Sequence, residues 1–457
     1  MNPTITRLDK LKLTNFRCFS ELEVQFHEKL TVIVAPNGGG KTALLDAINL
    51  SWHHFLQGTD WDNKTKGIPC EDDRLAPTPD GEMLARKPVI VAGHTLVNGK
   101  PVEWQIDKGL RSPQNTSAKK AVPLWSAGYG LRKQLQDYAD QKQPSPPVLP
   151  VLGFYGTGRL WLGRKITEAR RKKLKADTSP VSGYDDCLSQ SSHFELFAVW
   201  FERFSRAAQQ ERETGEASPH RPVERLKVVA GAVDWLLKPT GWKSLSFDFG
   251  SETLVATHPV HGKLPVSSLS DGIRIMIGLV GDIAHRCARL NHHLGSEAAR
   301  MTPGVIMIDE VDMHLHPEWQ QLVLKALQDA FPLIQFIVTT HSPQVVSTAH
   351  RENIRMLVQK TSDEWEAHIP ERNPYAHANS VALETVMGGH AYPPNDTVDM
   401  LREYQRLVGN DQHDAPRALE LRAALEDEWG KTDPELALMD VTIRKNETLR
   451  KLRSQKL

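Results

Sequence analysis

The chain has 457 residues, more than one compact core holds, so two or three structural units are expected; 40% hydrophobic and 25% charged residues describe a soluble globular protein. Lys and Arg total 56 and Asp and Glu total 56, giving a formal net charge of +0. That balance excludes a protein that coats nucleic acid through bulk charge and leaves only local basic patches open to such a role.

The cysteines, Cys18, Cys70, Cys187 and Cys287, are scattered and form no CxxC pair, a pattern suited to a reducing compartment. The N-terminal stretch lacks the apolar region of a signal peptide. No apolar run approaches the ~20 residues of a membrane helix. A cytoplasmic protein with no membrane partner is expected.

In chain order, residues 10–34 predict strands. KLKLTNF and ELEVQF alternate, and LTVIV is a buried apolar run. A glycine-rich turn follows, then TALLDAINLSWHHFL with apolar residues at helical spacing. Residues 57–80 are polar and predict a loop. Residues 88–106 predict a hairpin turning at Asn98-Gly99. A Pro/Ser/Gln/Lys-rich loop follows near 141–150. Residues 151–240 predict a mainly helical region that opens with the basic run 159–175, which is either a solvated face or a nucleic-acid contact. Strands are expected over 245–268, a helix over 273–290, a strand over 304–309, one helix through EWQQLVLKALQDAF and a strand at QFIVTT. Residues 375–457 are charged and helical, with breaks at Pro393-Pro394 and Gly430.

The strongest chemical signal is APNGGGKT at 35–42, between an apolar strand and a helix, the setting of a P-loop. Backbone N–H groups of Asn37, Gly38, Gly39 and Gly40 can approach phosphate oxygens, helped by the helix dipole. Lys41 is the candidate for the β- and γ-phosphates, and Thr42 for a Mg²⁺ ligand. Ala35 stands where the pattern has its first glycine; it is small and tolerable there. VIMIDE at 305–310 has the form of a Walker B strand. Asp309 is expected to hold Mg²⁺, directly or through water, and Glu310 to orient the attacking water as general base.

SLSDGIR at 268–274 precedes an apolar helix and resembles the ABC signature, with Ser270, Asp271 and Gly272 at its core. In proteins with this signature the site caps the γ-phosphate held by the other subunit. A hydroxyl and N–H groups at a helix start suit an anion. VTTHSP at 338–343 ends a strand, and His341 resembles the switch histidine that contacts the γ-phosphate and attacking water. Asp312 stands at the position of a D-loop residue that crosses the dimer interface. Arg17, in NFRCF, is a further candidate near the phosphates. No Q-loop glutamine stands out. In GFYGTGRLW, Tyr155 or Arg159 either faces the nucleotide or belongs to a buried aromatic turn. His314 and His316 look like a metal pair but are read as loop residues. Asn291-His292-His293 lacks the context of an HNH nuclease.

Together NFRCF, VIVAPNGGGKT, FYGTGRLW, GYDDCLSQSSHFELFAVWF, SLSDGIRIMIGLVGDIA, VIMIDEVDMHLHPEWQ and VTTHSP, over roughly residues 10–350, resemble the stand-alone AAA-type ATPases of bacterial defence islands. These are relatives of RecF, SMC and OLD proteins, and the resemblance is closest to the PtuA family of Septu and retron-associated anti-phage systems. It implies an α/β fold: an ABC/SMC-like P-loop ATPase head with a mixed sheet, a helical insertion and a C-terminal helical region. The expected units are an N-terminal lobe of the head at 1–150, a helical insertion at 151–240, a C-terminal lobe at 241–370 and a partner or oligomerisation region at 371–457.

The resemblance further implies an ATPase that uses ATP and Mg²⁺, joins a second copy around ATP, can form larger oligomers, and pairs with an HNH nuclease subunit. DNA would be met through that complex. The bridging arrangement predicts that ATP restrains it. No Asp-x-Asp cluster follows His341, so the chain is not expected to cut DNA itself. The alternative is a RecF/SMC-like repair ATPase that binds DNA in an ATP-dependent way; a steep salt slope in DNA binding by the lone protein separates the two.

Overall fold

The computed structural model describes residues 5–61, 67–109, 116–117, 119–159, 179–189, 194–215, 221–361, 364–390 and 392–454. The basic run beyond residue 159, and 190–193 of the GYDDCL segment, lie outside the described residues. The chain divides into units at 1–388 and 389–457.

In the first unit, six strands form the central sheet in the order Trp365–His368, Ile354–Gln359, Leu30–Val34, Ile334–Thr339, Gly304–Ile308, Val151–Tyr155. All neighbours pair in parallel except Trp365–His368, which runs antiparallel to Ile354–Gln359. The four strands from Leu30–Val34 to Val151–Tyr155 are buried at every position. Runs such as LTVIV and GVIMI are therefore continuously apolar, as a sheet covered on both faces requires. The expected mixed α/β architecture is present. One difference concerns residues 151–155, expected at the start of a helical region. They form the strand beside Gly304–Ile308, because a short apolar run does not by itself distinguish a buried strand from a helix.

A second, antiparallel sheet has the order Phe19–Gln25, Arg7–Phe16, Val89–Val97, Lys100–Lys108, Thr116–Ser117. Its hairpin turns at Asn98 (φ 50°) and Gly99 (φ 75°), a two-residue turn with both positions left-handed, as the Asn-Gly pair predicts. Gln335, buried in the apolar strand Ile334–Thr339, ties the two sheets together. Its amide accepts from Leu8 N at 2.8 Å and donates to Leu8 O and His27 O at 2.9 Å each.

Helices Phe194–Thr214 and Pro222–Leu237 pack beside a three-stranded sheet, Lys243–Asp248, Thr253–His258 and Gly262–Pro265, and helix Asp271–Leu290 packs on both of these helices. From Ile275 to its end, helix Asp271–Leu290 is buried at every position, as its apolar sequence anticipates. The stretch expected as one helix after the carboxylates is two, Pro317–Gln320 and Val323–Ala330. Among the described residues no helix is long and apolar enough to cross a membrane.

The second unit consists of helices Asp396–Gly409, Pro416–Trp429 and Pro434–Ser454 around a core of its own that includes Leu401, Tyr404, Leu421, Leu425 and Leu436. Arg422 joins two of these helices through Asp440 at 2.7 Å and also meets Glu426 at 2.7 Å.

Candidate active site

Strands Leu30–Val34, Ile334–Thr339 and Gly304–Ile308 lie side by side and in parallel, so the segments leaving their C-terminal ends emerge together. In open α/β sheets that edge is where ligands bind. The three segments are residues 35–42, 340–343 and 309–316.

The glycine loop explains its own composition. Gly39 N donates to Pro36 O at 2.9 Å, and a Cβ on Gly39 would stand 2.7 Å from the Ala35 Cβ. The loop therefore closes on a small residue, and alanine at 35 is small enough. Gly40 is left-handed (φ 80°), and a Cβ there would strike the Phe19 ring at 2.2 Å. Gly38 (φ 76°) and Asn37 lie at the exposed rim. Helix Lys41–Gly58 starts directly after Gly40 with no side-chain cap and no acidic residue in its first turn. Its first-turn N–H groups thus keep the positive end of the helix dipole unneutralised.

Lys41 is buried, and its Nζ donates to Ala35 O at 3.0 Å. Burial lowers its pKa, while Asp309, Glu310 and Asp312 pull the other way. An ammonium held on the carbonyls of Ala35 and, at 3.4 Å, Pro36, and short of solvent, is suited to an incoming polyanion. Thr42 is exposed, and its hydroxyl donates to Asp309 Oδ2 at 2.8 Å. The glycine loop and the carboxylate strand therefore meet through the two side chains expected to share a cation. Asp309 itself is buried; its N–H donates to Tyr155 O at 2.8 Å, and its Oδ1 accepts from the Thr339 hydroxyl at 2.5 Å.

Glu310 follows in the left-handed region (φ 50°), where a non-glycine residue is strained. The Asp312 carboxylate accepts from the Thr340 hydroxyl at 2.5 Å. His341 is exposed directly after Thr340, and Ser342 caps the helical turn Pro343–Val346 through Gln344 N and Val345 N.

Ser270, Asp271 and Gly272 open helix Asp271–Leu290, again without a side-chain cap. The segment packs on the post-carboxylate loop: a Cβ on Gly272 would lie 2.9 Å from His314 O. Ser270 and Asp271 are exposed, and Asp271 pairs with Arg274. Arg17 (φ 47°) is held by Asp46 at 2.8 Å and Asp72 at 2.7 Å. Asp46 lies on the helix that begins at Lys41, so Arg17 braces the glycine-loop helix from behind its first turn. Tyr155 is buried at the end of strand Val151–Tyr155: its hydroxyl donates to Asp282 Oδ2 at 2.8 Å, and burial pushes its pKa well up. The Arg159 side chain lies outside the described residues.

The residues present fit a Mg²⁺-nucleotide. The loop is a cradle that Cβ atoms would fill, a buried ammonium stands at its base, and a hydroxyl and a carboxylate meet at its mouth, an oxygen donor set suited to a hard cation.

A family model described as "AAA domain" matches residues 10–211, and one described as "AAA domain, putative AbiEii toxin, Type IV TA system" matches 247–347. The chain is 36% identical to the Retron Ec83 probable ATPase of Escherichia coli, over 96% of this chain and 87% of that one. It is 33% identical to the Retron Vc95 probable ATPase of Vibrio cholerae, over 94% and 88%. It is 27% identical to the Septu protein PtuA of Bacillus thuringiensis, over 89% and 90%. The chain belongs to the retron and PtuA family of AAA-domain ATPases. The reaction of an ATPase is phosphoryl transfer to water, in which positioning and electrostatics supply nearly all of the catalysis.

Several side chains that organise the candidate site carry no signal of their own in the sequence. Thr339 and Thr340 read simply as the end of a strand. Asp46 and Asp72, which hold Arg17, are separated from it in the chain and carry no local motif. Gln320, whose amide oxygen accepts from the Ser342 hydroxyl at 2.6 Å, lies in what reads as an ordinary amphipathic helix.

Proposed function

We propose that this chain is the ATP-binding and hydrolysing subunit of a Septu-like anti-phage defence complex, that two copies join around ATP, and that the assembly controls a partner HNH nuclease. The observation that carries the nucleotide reading is the Thr42–Asp309 hydrogen bond, which brings the glycine loop and the carboxylate strand to one point. The defence role is supported by the retron and Septu relatives. The nuclease partner is what the family resemblance implies.

In this reading, N–H groups of residues 37–42 hold the phosphates and Lys41 turns from the Ala35 carbonyl to the β- and γ-phosphates. Thr42 and Asp309 would hold Mg²⁺, which would supply positive charge against the phosphates. Glu310 orients the attacking water, and His341 steadies the γ-phosphate side of the site. Ser270, Asp271 and Gly272 from the second copy complete it, with Asp312 at the junction.

The test uses two variants of the full chain. Glu310→Gln is expected to lower ATP turnover by roughly 10²–10⁴-fold while nucleotide still binds. Lys41→Ala is expected to lose nucleotide binding. Wild-type turnover by the first variant would remove Glu310 from its role, and wild-type affinity in the second would remove the site.

A further inference from the structure

Strand Ile334–Thr339 ends in a threonine, and a second follows it; both are fully buried. Their hydroxyls work alike. The Thr339 hydroxyl donates to Asp309 Oδ1 at 2.5 Å and accepts from Glu310 N at 2.8 Å. The Thr340 hydroxyl donates to Asp312 Oδ1 at 2.5 Å and accepts from Ser342 N at 2.9 Å. Each threonine thus ties a carboxylate and a backbone N–H to one oxygen.

Thr339 goes further. Its carbonyl accepts from Val311 N at 2.9 Å. The amides on both sides of the Glu310 Cα are therefore hydrogen-bonded to one residue of the neighbouring strand. Glu310 holds a left-handed conformation (φ 50°), and such conformations persist only where surrounding contacts over-determine them. Asp309 is constrained at the same time. Its Oδ1 is tied to Thr339 while its Oδ2 meets Thr42, which limits rotation of the carboxylate about its last bond.

We propose that Thr339 is a positioning residue for ATP hydrolysis. Its hydroxyl aims the Asp309 carboxylate at Thr42 and fixes the turn that presents Glu310. The inference rests on the reading of Asp309 and Glu310 proposed above. It concerns a residue that does not reach the reacting atoms, so its action passes through the two that do. Valine has nearly the shape of threonine but neither donates nor accepts. Thr339→Val would withdraw a donor from Asp309 Oδ1 and the acceptor from the Glu310 N–H in a buried setting. Serine keeps the hydroxyl and loses only a methyl group.

The experiment measures two quantities on the full chain: affinity for a fluorescent non-hydrolysable ATP analogue with and without Mg²⁺, and ATP turnover across a Mg²⁺ titration. In Thr339→Val the gain in affinity on adding Mg²⁺, and the turnover, are each expected to fall by about 10–100-fold, the usual consequence of removing a partner that orients a metal ligand. The Mg²⁺ concentration for half-maximal turnover is expected to rise, and Thr339→Ser to recover most of both losses. A valine variant with wild-type Mg²⁺ dependence overturns the assignment. So does a serine variant as impaired as valine, because the loss would then come from packing. If the valine variant does not yield folded protein, Thr339→Ala is read by the same criteria. Glu310→Gln, measured alongside, separates the two levels. If it too turns over at the wild-type rate, the site reading fails; if it is inactive while Thr339→Val is normal, Thr339 alone is wrongly placed.

Discussion

His285 sits within helix Asp271–Leu290, its ring centroid 4.3 Å from that of Trp200 and its Nδ1 3.9 Å from Asp282 Oδ1. Burial lowers its pKa to about 4; Arg289 and Arg286 push the same way, and Asp282 opposes them. The consequence for stability has a definite sign. In the unfolded chain this imidazole titrates near its ordinary value of about 6.5. Between that value and about 4 the unfolded state binds a proton that the folded state refuses, so stability falls as pH falls through this window. The full effect is on the order of 3 kcal/mol, reached near pH 4. His285→Phe keeps a ring against Trp200 and removes the titration. Melting temperatures of the two proteins from pH 7 to pH 4 should therefore diverge, with the wild type falling more steeply. Parallel curves would mean that His285 is protonated in the folded protein. Beside it, Arg286 is buried and meets Asp282 at 2.8 Å and the carbonyls of Gly183 and Asp185 at 2.9 Å each, so the inner half of this helix is organised around a charge pair rather than around apolar contact alone.

Among elements, the glycine-loop helix Lys41–Gly58 and helix Val122–Ala139 approach closely through glycines. A Cβ on Gly58 would stand 2.0 Å from Trp125 O, and one on Gly128 would stand 2.2 Å from Phe55 O. Both obstacles are backbone, which cannot swing aside, so the helices must separate if either glycine gains a methyl group. For Gly128→Ala two effects compete. Helix propensity favours alanine by up to about 1 kcal/mol, whereas forcing a packed contact apart costs about 1–3 kcal/mol. The packing cost should win, with a lower melting temperature by differential scanning fluorimetry. A rise would show that the helices are not held at this distance. The same pair of helices shows what the sequence discloses and what it conceals. The glycine loop, VIMIDE and VTTHSP are each written in consecutive residues, since a turn that cradles phosphate and a strand that delivers carboxylates are local structures. Gly128 gives no such sign, because its constraint comes from Phe55. Gln335 could have been noticed as the one amide in an apolar strand, and Asp282 with Arg286 as charges four apart in an apolar helix. Their partners, Leu8, His27, Tyr155 and Gly183, come from distant parts of the chain and only the fold identifies them. The strand at 151–155 was concealed for a related reason: its pairing with Gly304–Ile308 settles a run that its own residues leave ambiguous.

For the molecule as a whole, the proposed ATP bridge calls on two different helix starts of one chain, the second carrying Asp271 in its first turn, paired with Arg274. Helix Lys41–Gly58 begins at the glycine loop beside Lys41 and Thr42, which belong to the same site. Helix Asp271–Leu290 begins after Ser270, with Gly272 against His314 and Leu315, Ser270 and Asp271 exposed and no side-chain cap. In the proposed assembly the Ser-Asp-Gly segment of a second copy faces the glycine loop, and a closed two-fold pair would make that contact twice. The proposed ATP bridge is therefore testable by mass. In a Glu310→Gln background, where bound ATP should persist, light scattering is expected to show a doubling of mass on adding ATP and Mg²⁺. Adding Ser270→Arg places a long cation at the start of the second helix while leaving the glycine loop and the Thr42–Asp309 contact intact. Nucleotide should still bind to that double variant, but the mass should stay near that of the nucleotide-free protein. If Glu310→Gln has the same mass with and without ATP, the nucleotide does not assemble the protein. If Ser270→Arg dimerises like its parent, copies join through another surface and the Ser-Asp-Gly segment is only the start of a helix.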